Sequence, residues 1–365
     1  MFGRGMFRLL LLLTSLFLLY ISFPYLYHLG DYVRQTNPFS GQKDIERPFV
    51  ATETELACLN GTPIPGDPHD DGTAKPIPNV VHFIFGLKNP LYHPGAGHFD
   101  FLNYLAVRSA LVSLKPDAVY LHYTYLSEPP SPSADADPLT NPWVRRLAND
   151  ITLVHHPPCA SAAQYAHMSD TLRLRLLLEH GGIYLDMDTF ALRPFTHILG
   201  PPHPRDTVLG AEGGNRWGLC NAFVAARPNS TFVARWLTRY PAADDASGAA
   251  DLGRAWNYHS VLLPRELAAS HAGEVCPLAP DAFFWPTWTW RHVDWMHAPL
   301  GRAAADFWAA EIERHGGALF ANQLAYHAWG QMAYDRYLKR LNPRVVRDRD
   351  TRFNLLVRRF MEDDL

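Results

Sequence analysis

The run S-D-T-L-R-L-R-L-L-L-E-H-G-G-I-Y-L-D-M-D, residues 169–188, concentrates the residue types that do chemistry. Asp170 and Arg173 stand three apart, which on a helix puts a carboxylate and a guanidinium on one face. Gly181 and Gly182 then stop the helix, because a helix commonly ends in the left-handed region that glycine enters at no steric cost. Ile183, Tyr184 and Leu185 form a short β-prone run, and Asp186 and Asp188 follow at its carboxyl end. Alternate side chains of an extended chain share a face, so both carboxylates are expected to point one way and Met187 the other. Two hard oxygen donors so placed would seat Mn²⁺ or Mg²⁺. By itself a D-x-D triplet more often marks a solvated turn or strand edge, and a surface ion pair is the alternative reading of an Asp–Arg pair at i, i+3. The triplet gains weight from its place, because parallel sheets hold their ligands at the carboxyl ends of the strands.

For that placement the surrounding chain must alternate strand and helix, and its pattern does so. Val80, Val81, Phe83, Ile84 and Phe85 form an apolar run suited to a buried parallel strand. A helical stretch over about 100–114 follows, then strands at 118–125 and near 151–154, a helix over about 161–180, and a strand at 183–185. This order predicts an α/β fold, with a mostly parallel sheet flanked by helices. Segments 127–142, 200–206 and 241–250 read as surface loops. With no internal repeat, one catalytic domain over 77–345 is expected. Residues 28–76 show no sustained period and collect Pro, Gly, Asp and Thr, notably in the run 61–72, which reads as a stem or linker. Residues 346–365 form a charged tail in which Phe353, Leu355, Leu356, Val357 and Phe360 could make an amphipathic helix.

The N-terminus differs in kind. Residues 9–27 carry no formal charge and are dominated by Leu, Phe and Tyr, enough for a helix of the roughly 20 residues that cross a bilayer. The stretch runs into Phe23, Pro24 and Tyr25 with no small-residue cleavage site, which favours an uncleaved anchor over a secretory signal. Arg4 and Arg8 put residues 1–8 on the cytoplasmic side, although Arg34 weakens the asymmetry. A single-pass type II protein of the Golgi or endoplasmic reticulum membrane, with a lumenal catalytic domain, is the expectation. Cys58, Cys159, Cys220 and Cys276 are too few for a disulfide scaffold and lack C-x-x-C pairing; they permit one or two bridges without showing which. The sequons at 60–62 and 229–231 fit a secretory route. A net charge of −3 without Lys/Arg runs leaves no footprint for nucleic acid. A hydrophobic content of 47% is ample for a sizeable core.

Several segments occur in a telling order: I-P-N-V-V-H-F-I-F-G at the first strand, Y-L-A-V-R-S-A-L near Tyr104, the S-D-x-L-R to D-x-D block, C-N-A-F-V-A-A-R-P after Leu219, W-N-Y-H-S-V at Trp256 and H-A-W at His327. Over about residues 77–330 the chain resembles glycosyltransferase family 32, the DXD sugar-binding-region enzymes, related to the α-1,4-galactosyl- and α-1,6-mannosyltransferase-like group. The block is also similar to that of the bacterial large glucosylating toxins. The resemblance implies a GT-A, Rossmann-like fold, a UDP- or GDP-hexose donor, a divalent ion, retention of anomeric configuration, and a glycan, glycolipid or protein acceptor. It implies that Asp186 and Asp188 hold the metal, that Asp170 and Arg173 contact the donor sugar, and that His327 is a third metal or diphosphate contact. A satisfied core imidazole is the alternative for His327. Asn221, Asn257 and His259 sit in matching segments and would line the donor or acceptor cleft, or else pack and cap. The opening V-H-F-I-F-G departs from the I-H-Q-x-W of yeast-type mannosyltransferases, which leaves the donor open. The aromatic tract Phe283, Phe284, Trp285, Trp288 and Trp290 could stack on an acceptor sugar or simply fill the core. Two rival functions remain: a catalytically inactive lumenal binding protein for nucleotide sugars or carbohydrate, against which the intact D-x-D and S-D-x-L-R argue, and a metal-dependent phosphohydrolase.

Overall fold

The computed structural model describes residues 4–36, 42–64, 75–93, 98–126, 137–158, 165–200, 205–240 and 257–365. Its strands are β1 Val80–Phe85, β2 Ala118–Tyr123, β3 Thr152–His155, β4 Gly182–Leu185, β5 Thr189–Ala191, β6 Thr207–Glu212, β7 Gly218–Ala226, β8 Val275–Leu278 and β9 Ala325–His327. One sheet takes the order β3-β2-β1-β4-β7-β6-β8, and β5 pairs with β9 in a separate ribbon. The β3-β2-β1-β4 half is parallel throughout, as expected for an α/β chain. β7 runs antiparallel to both β4 and β6, while β8 lies parallel to β6.

The sheet is a middle layer because its strands bury both faces. Val81, Phe83, Ile183 and Leu185 pack with the helix Phe101–Leu114 in one cluster. Ile84, Tyr184 and Val224 face the other way, against Leu174 and Leu177 of the helix Tyr165–His180 and Trp236 of the helix Thr231–Leu237. A capping box starts the helix Phe101–Leu114, with Asp100 and Asn103 each accepting the other's backbone N–H. β2 lies on one side of β1 and β4 on the other. The strand order therefore reverses at β1, and the crevice beyond the carboxyl ends of β1 and β4 is where such sheets hold ligands.

Two parts of the expected domain plan are corrected. The stretch read as a linker from 28 to 76 joins the folded body from Gln42: Ile45, Ala57 and Ile64 are buried, and a helix Glu53–Asn60 is locked by a Thr52–Glu55 capping box. Cys58 of that helix is disulfide-bonded to Cys276 on β8, and its buried Glu55 pairs with Arg216 (2.6 Å). An eight-residue helix that buries only part of one turn has too short a pattern to show periodicity. The charged tail is likewise part of the folded body: its helix Arg352–Val357 buries Phe353, Leu356 and Val357 of the expected apolar face, and Val346 and Phe360 are buried too. Cys220 is buried and unbridged. Cys159, Trp256, and the loops or loop portions 65–74, 127–136, 201–204 and 241–250 lie outside the described residues.

At the N-terminus a helix spans Arg4–Thr36 and leaves Leu9 to Leu13 and Leu16 to Leu19 exposed. Among the described residues no helix is long and apolar enough to cross a membrane.

Candidate active site

Gly182 is needed for more than stopping a helix. It opens β4 at φ +105°, and a Cβ there would stand 2.5 Å from the Val80 carbonyl oxygen of β1. β4 ends at Leu185, and the D-x-D residues that follow form a tight turn in which Thr189 N–H donates to the Asp186 carbonyl (2.9 Å). The expectation of two carboxylates alternating along one strand face is corrected: a turn, not a pleat, brings them round. The turn delivers the chain into β5, whose Thr189 stands opposite His327 on β9.

That ribbon and the residues after it wrap Asp188. His327 Nε2 lies 3.1 Å from Asp188 Oδ1, Gly330 N–H donates to Oδ2 at 2.6 Å, and Ala328 N–H donates to the Asp188 carbonyl at 2.8 Å. A Cβ on Gly330 would stand 2.9 Å from Asp188 Oδ2, so glycine is required for the backbone to come this close. Trp329 between them adopts φ +54°, where a non-glycine residue costs about 1–3 kcal/mol. Its indole N–H donates to the Pro286 carbonyl (2.8 Å) and its ring packs on His327 at 4.3 Å, contacts that hold it there. Burial alone would raise the Asp188 carboxyl, but His327 and the Gly330 N–H hold it below its ordinary value. Burial likewise opposes a charged His327, yet the Asp188 carboxylate lifts it above its ordinary value.

Ligand atoms from Asp186, Asp188 and His327 all lie within 4.8 Å of one another. Two carboxylate oxygens and one imidazole nitrogen suit a borderline divalent ion such as Mn²⁺. Asp186 is aimed from its other side: Arg173 Nη1 (3.0 Å) and the Tyr184 hydroxyl (2.6 Å) both donate to Oδ1.

Arg173 ties the two halves of the motif together. At 5% exposure, with Asp170 at 8%, it is not part of a solvated helix face. Its guanidinium donates to the Asn221 carbonyl (2.8 Å) and Ser169 Oγ (3.0 Å), pairs with Asp170 (3.1 Å), and stacks over the Tyr184 ring at 4.3 Å. Burial works against its charge, but Asp186, Tyr184 and Asp170 hold it above its usual range. Asp170 Oδ1 also accepts from Asn221 Nδ2 at 2.7 Å.

These residues open on a cavity of about 460 Å³ lined by Asp170, Arg173, Asp186, Asn221, Asn257 and His327. His259 is not brought to it. Its carbonyl accepts from the Trp236 indole (2.8 Å) and Tyr240 hydroxyl (3.1 Å), and its ring packs between Tyr240 and Tyr258, a bracing role. A second cavity of about 370 Å³, with Gly86, Lys88, Tyr165 and Tyr184 in its wall, lies at the end of β1; Ser169 and Asp186 line both. The aromatic tract divides. Phe283 and Phe284 are core, with Phe283 stacked on Phe223 at 3.8 Å; Trp290 lies under Arg336 at 3.6 Å; Trp288 lines the larger cavity. Glu212, Trp217 and Tyr184 complete the surroundings. Sequence reasoning passed over Glu212 and Trp217 because they flank the turn of a hairpin whose two strands lack a distinguishing motif.

Residues 107–205 match the family described as the glycosyltransferase sugar-binding region containing the DXD motif. The chain is 34% identical over 298 residues to glucan organizing enzyme 1 of Cryptococcus neoformans var. grubii, a match covering 78% of this chain and 71% of that protein. Among solved structures it is similar to the PaToxG glycosyltransferase, at 12% identity over 84% of this chain and 92% of that one, TM-score 0.38. It is also similar to mouse xyloside xylosyltransferase 1, at 9% identity over 70% and 99%, TM-score 0.34. The family match runs through the helix and turn that carry Asp170, Arg173, Asp186 and Asp188, and the chain belongs to the glycosyltransferases whose sugar-binding region contains the DXD motif, a family 32-like group.

Proposed function

We propose that the chain is a divalent-metal-dependent, retaining hexosyltransferase that moves a sugar from a UDP- or GDP-hexose to a hydroxyl of a glycan, glycolipid or protein. The observation that carries this reading is the convergence of Asp186, Asp188 and His327 beside the Asp170–Arg173–Asn221 cluster at the mouth of a cavity. When bound, Mn²⁺ or Mg²⁺ would supply Lewis-acid charge compensation to the departing diphosphate. The chain's own residues do the positioning. Arg173 and Tyr184 fix one oxygen of Asp186, Gly330 fixes one oxygen of Asp188, and Asp170, locked by Arg173 and Asn221, faces the larger cavity where the hexose would lie. The smaller cavity at the end of β1 suits the nucleoside, because the shared wall at Asp186 then falls at the diphosphate. The name of the Cryptococcus relative, an enzyme that organizes glucan, supports a glycan acceptor. Purified protein incubated with a panel of UDP- and GDP-hexoses should release nucleoside diphosphate from one of them, stop in excess chelator, and resume with Mn²⁺. Release that ignores the chelator would remove the metal from the reading, and no release or nucleotide binding with any donor would remove the reading itself.

The same proposal includes a type II anchor formed by residues 9–27, with the catalytic domain in the lumen of the Golgi or endoplasmic reticulum. The row of exposed leucines supports an apolar surrounding, the Cys58–Cys276 bridge supports an oxidising compartment, and the sequon residues Asn60 and Asn229 are both exposed. The protein should stay in the membrane pellet through carbonate extraction and lose apparent mass on endoglycosidase treatment. A soluble, unmodified chain beginning beyond Tyr27 would contradict the topology.

A further inference from the structure

The larger cavity is lined by more residues than a donor sugar would use. Glu212, which pairs with Gly218 at the tip of the β6–β7 hairpin, and the indoles of Trp217 and Trp288 form part of its wall.

The chemistry there is distinct. Glu212 is 4% exposed, and among the described residues no Lys or Arg pairs with it. Burial pushes its carboxyl up to about 7, against the opposing pull of His327 and of hydrogen bonds from the Trp288 indole and the Cys220 thiol. A buried carboxyl with one indole and one thiol donating to it keeps lone pairs that hydroxyl or N–H donors of a ligand would satisfy. Two half-buried indoles beside it offer flat apolar faces with polar edges. A pyranose meets both demands: vicinal hydroxyls donate to the two carboxylate oxygens, and the ring's C–H face packs on an indole. A lipid chain would offer the carboxyl no further donor, and an extended peptide would find no backbone edge to pair with at a hairpin tip.

The loops that carry the tryptophans are braced from outside, by the segment that precedes β1. Glu55 pairs with Arg216, next to Trp217, through two hydrogen bonds of 2.6 and 2.8 Å. Gly214 N–H donates to the Ile45 carbonyl at 2.7 Å. Glu46 accepts from Thr289 Oγ1 at 2.5 Å and pairs with Arg291 at 3.2 Å, on either side of Trp290 and just after Trp288. Both indoles are thus fixed at moderate exposure, as a preformed binding surface must be.

We propose that Glu212, Trp217 and Trp288 form the acceptor subsite and that it receives a pyranose of a carbohydrate chain. This rests on the glycosyltransferase reading, with the donor at the Asp186 end, and it narrows the acceptor to a glycan or the sugar of a glycolipid. A hexose of the donor could satisfy the same chemistry, so the test must separate the two. Full-length protein in detergent is titrated by calorimetry with UDP or GDP plus Mn²⁺, and with the matching nucleotide sugar. The nucleotide-loaded protein is then titrated with methyl glucopyranoside, mannopyranoside and galactopyranoside and with linear glucose and mannose trisaccharides, read by tryptophan fluorescence. At least one of these sugars should bind. Glu212→Gln, which keeps the shape of the side chain, and Trp288→Leu should each weaken it at least tenfold with nucleotide affinity within twofold of wild type. No sugar bound by nucleotide-loaded protein, or unchanged sugar affinity in both variants, overturns the subsite and leaves the glycosyltransferase reading standing. Loss of nucleotide-sugar affinity with bare nucleotide unaffected would reassign the three residues to the donor. Wild-type protein that binds no nucleotide at all would overturn both readings.

Discussion

Asp188→Asn is expected to lower kcat/KM by at least about a hundredfold, equivalent to about 2.7 kcal/mol of transition-state stabilisation. The size of the effect follows from what surrounds the carboxylate. Oδ2 is already committed to the Gly330 N–H at 2.6 Å and Oδ1 faces His327 at 3.1 Å and the neighbouring ligand atoms of Asp186. An amide must turn its NH₂ either toward Gly330, where two donors collide, or toward the proposed metal position, where a donor would replace an anion. Either orientation removes a hard anionic ligand. His327 also loses the charge that lifts its proton affinity. The Mn²⁺ concentration needed for half-maximal activity should rise at least tenfold, while circular dichroism and the melting profile stay those of a folded protein. Wild-type kcat/KM with an unchanged Mn²⁺ requirement would remove Asp188 from the ligand set.

Much of this site is legible in the sequence because its parts are local. The i, i+3 spacing of Asp170 and Arg173, the two glycines and the β-prone run to Asp186 lie within one helix–turn–strand unit, where spacing along the chain fixes spacing in space. The parallel half of the sheet was readable for a similar reason: strands buried on both faces are continuous apolar runs, as in Val80 to Phe85. Long-range pairings were not readable. Nothing near Thr189 signals that its partner is His327, since a three-residue strand has no pattern of its own. The hairpin β6–β7 escaped because β7 is buried on both faces over its whole length and so shows no alternation. The helix Glu53–Asn60 looked like linker because its hold on the fold comes from one cystine and one ion pair, not from an apolar stripe. The Asp170–Arg173 pair was visible, but its burial was not: the stack on Tyr184 and the carbonyl of Asn221 come from other strands.

That burial changes what a substitution at Arg173 should do. On an exposed helix face, Arg173→Lys would cost well under about 1 kcal/mol. In this setting the planar fork spans the Asp186 carboxylate and the Asn221 carbonyl with one nitrogen, and Ser169 and Asp170 with another. An ammonium carries three donors on a single point and cannot reach both sides at once. The side that is released matters more than the lost bonds. If the amine stays with Asp170, Asp186 keeps only Tyr184 on Oδ1 and can swing away from Asp188 and His327. We therefore expect Arg173→Lys to lower kcat/KM by at least about a hundredfold and to reduce thermal stability by about 2–4 kcal/mol, because a buried charge loses most of its partners. Binding of bare nucleoside diphosphate with Mn²⁺ tells positioning from direct contact with the sugar. If Arg173 acts by aiming Asp186, affinity for Mn²⁺ and the bare diphosphate must fall with activity. If it acts only on the hexose, that affinity must survive, and only the extra affinity of the intact nucleotide sugar disappears. The contacts of its guanidinium with Asp186, Asn221, Ser169 and Asp170 favour the first outcome. Unchanged Mn²⁺–nucleotide affinity in a variant with crippled turnover would return Arg173 to the sugar.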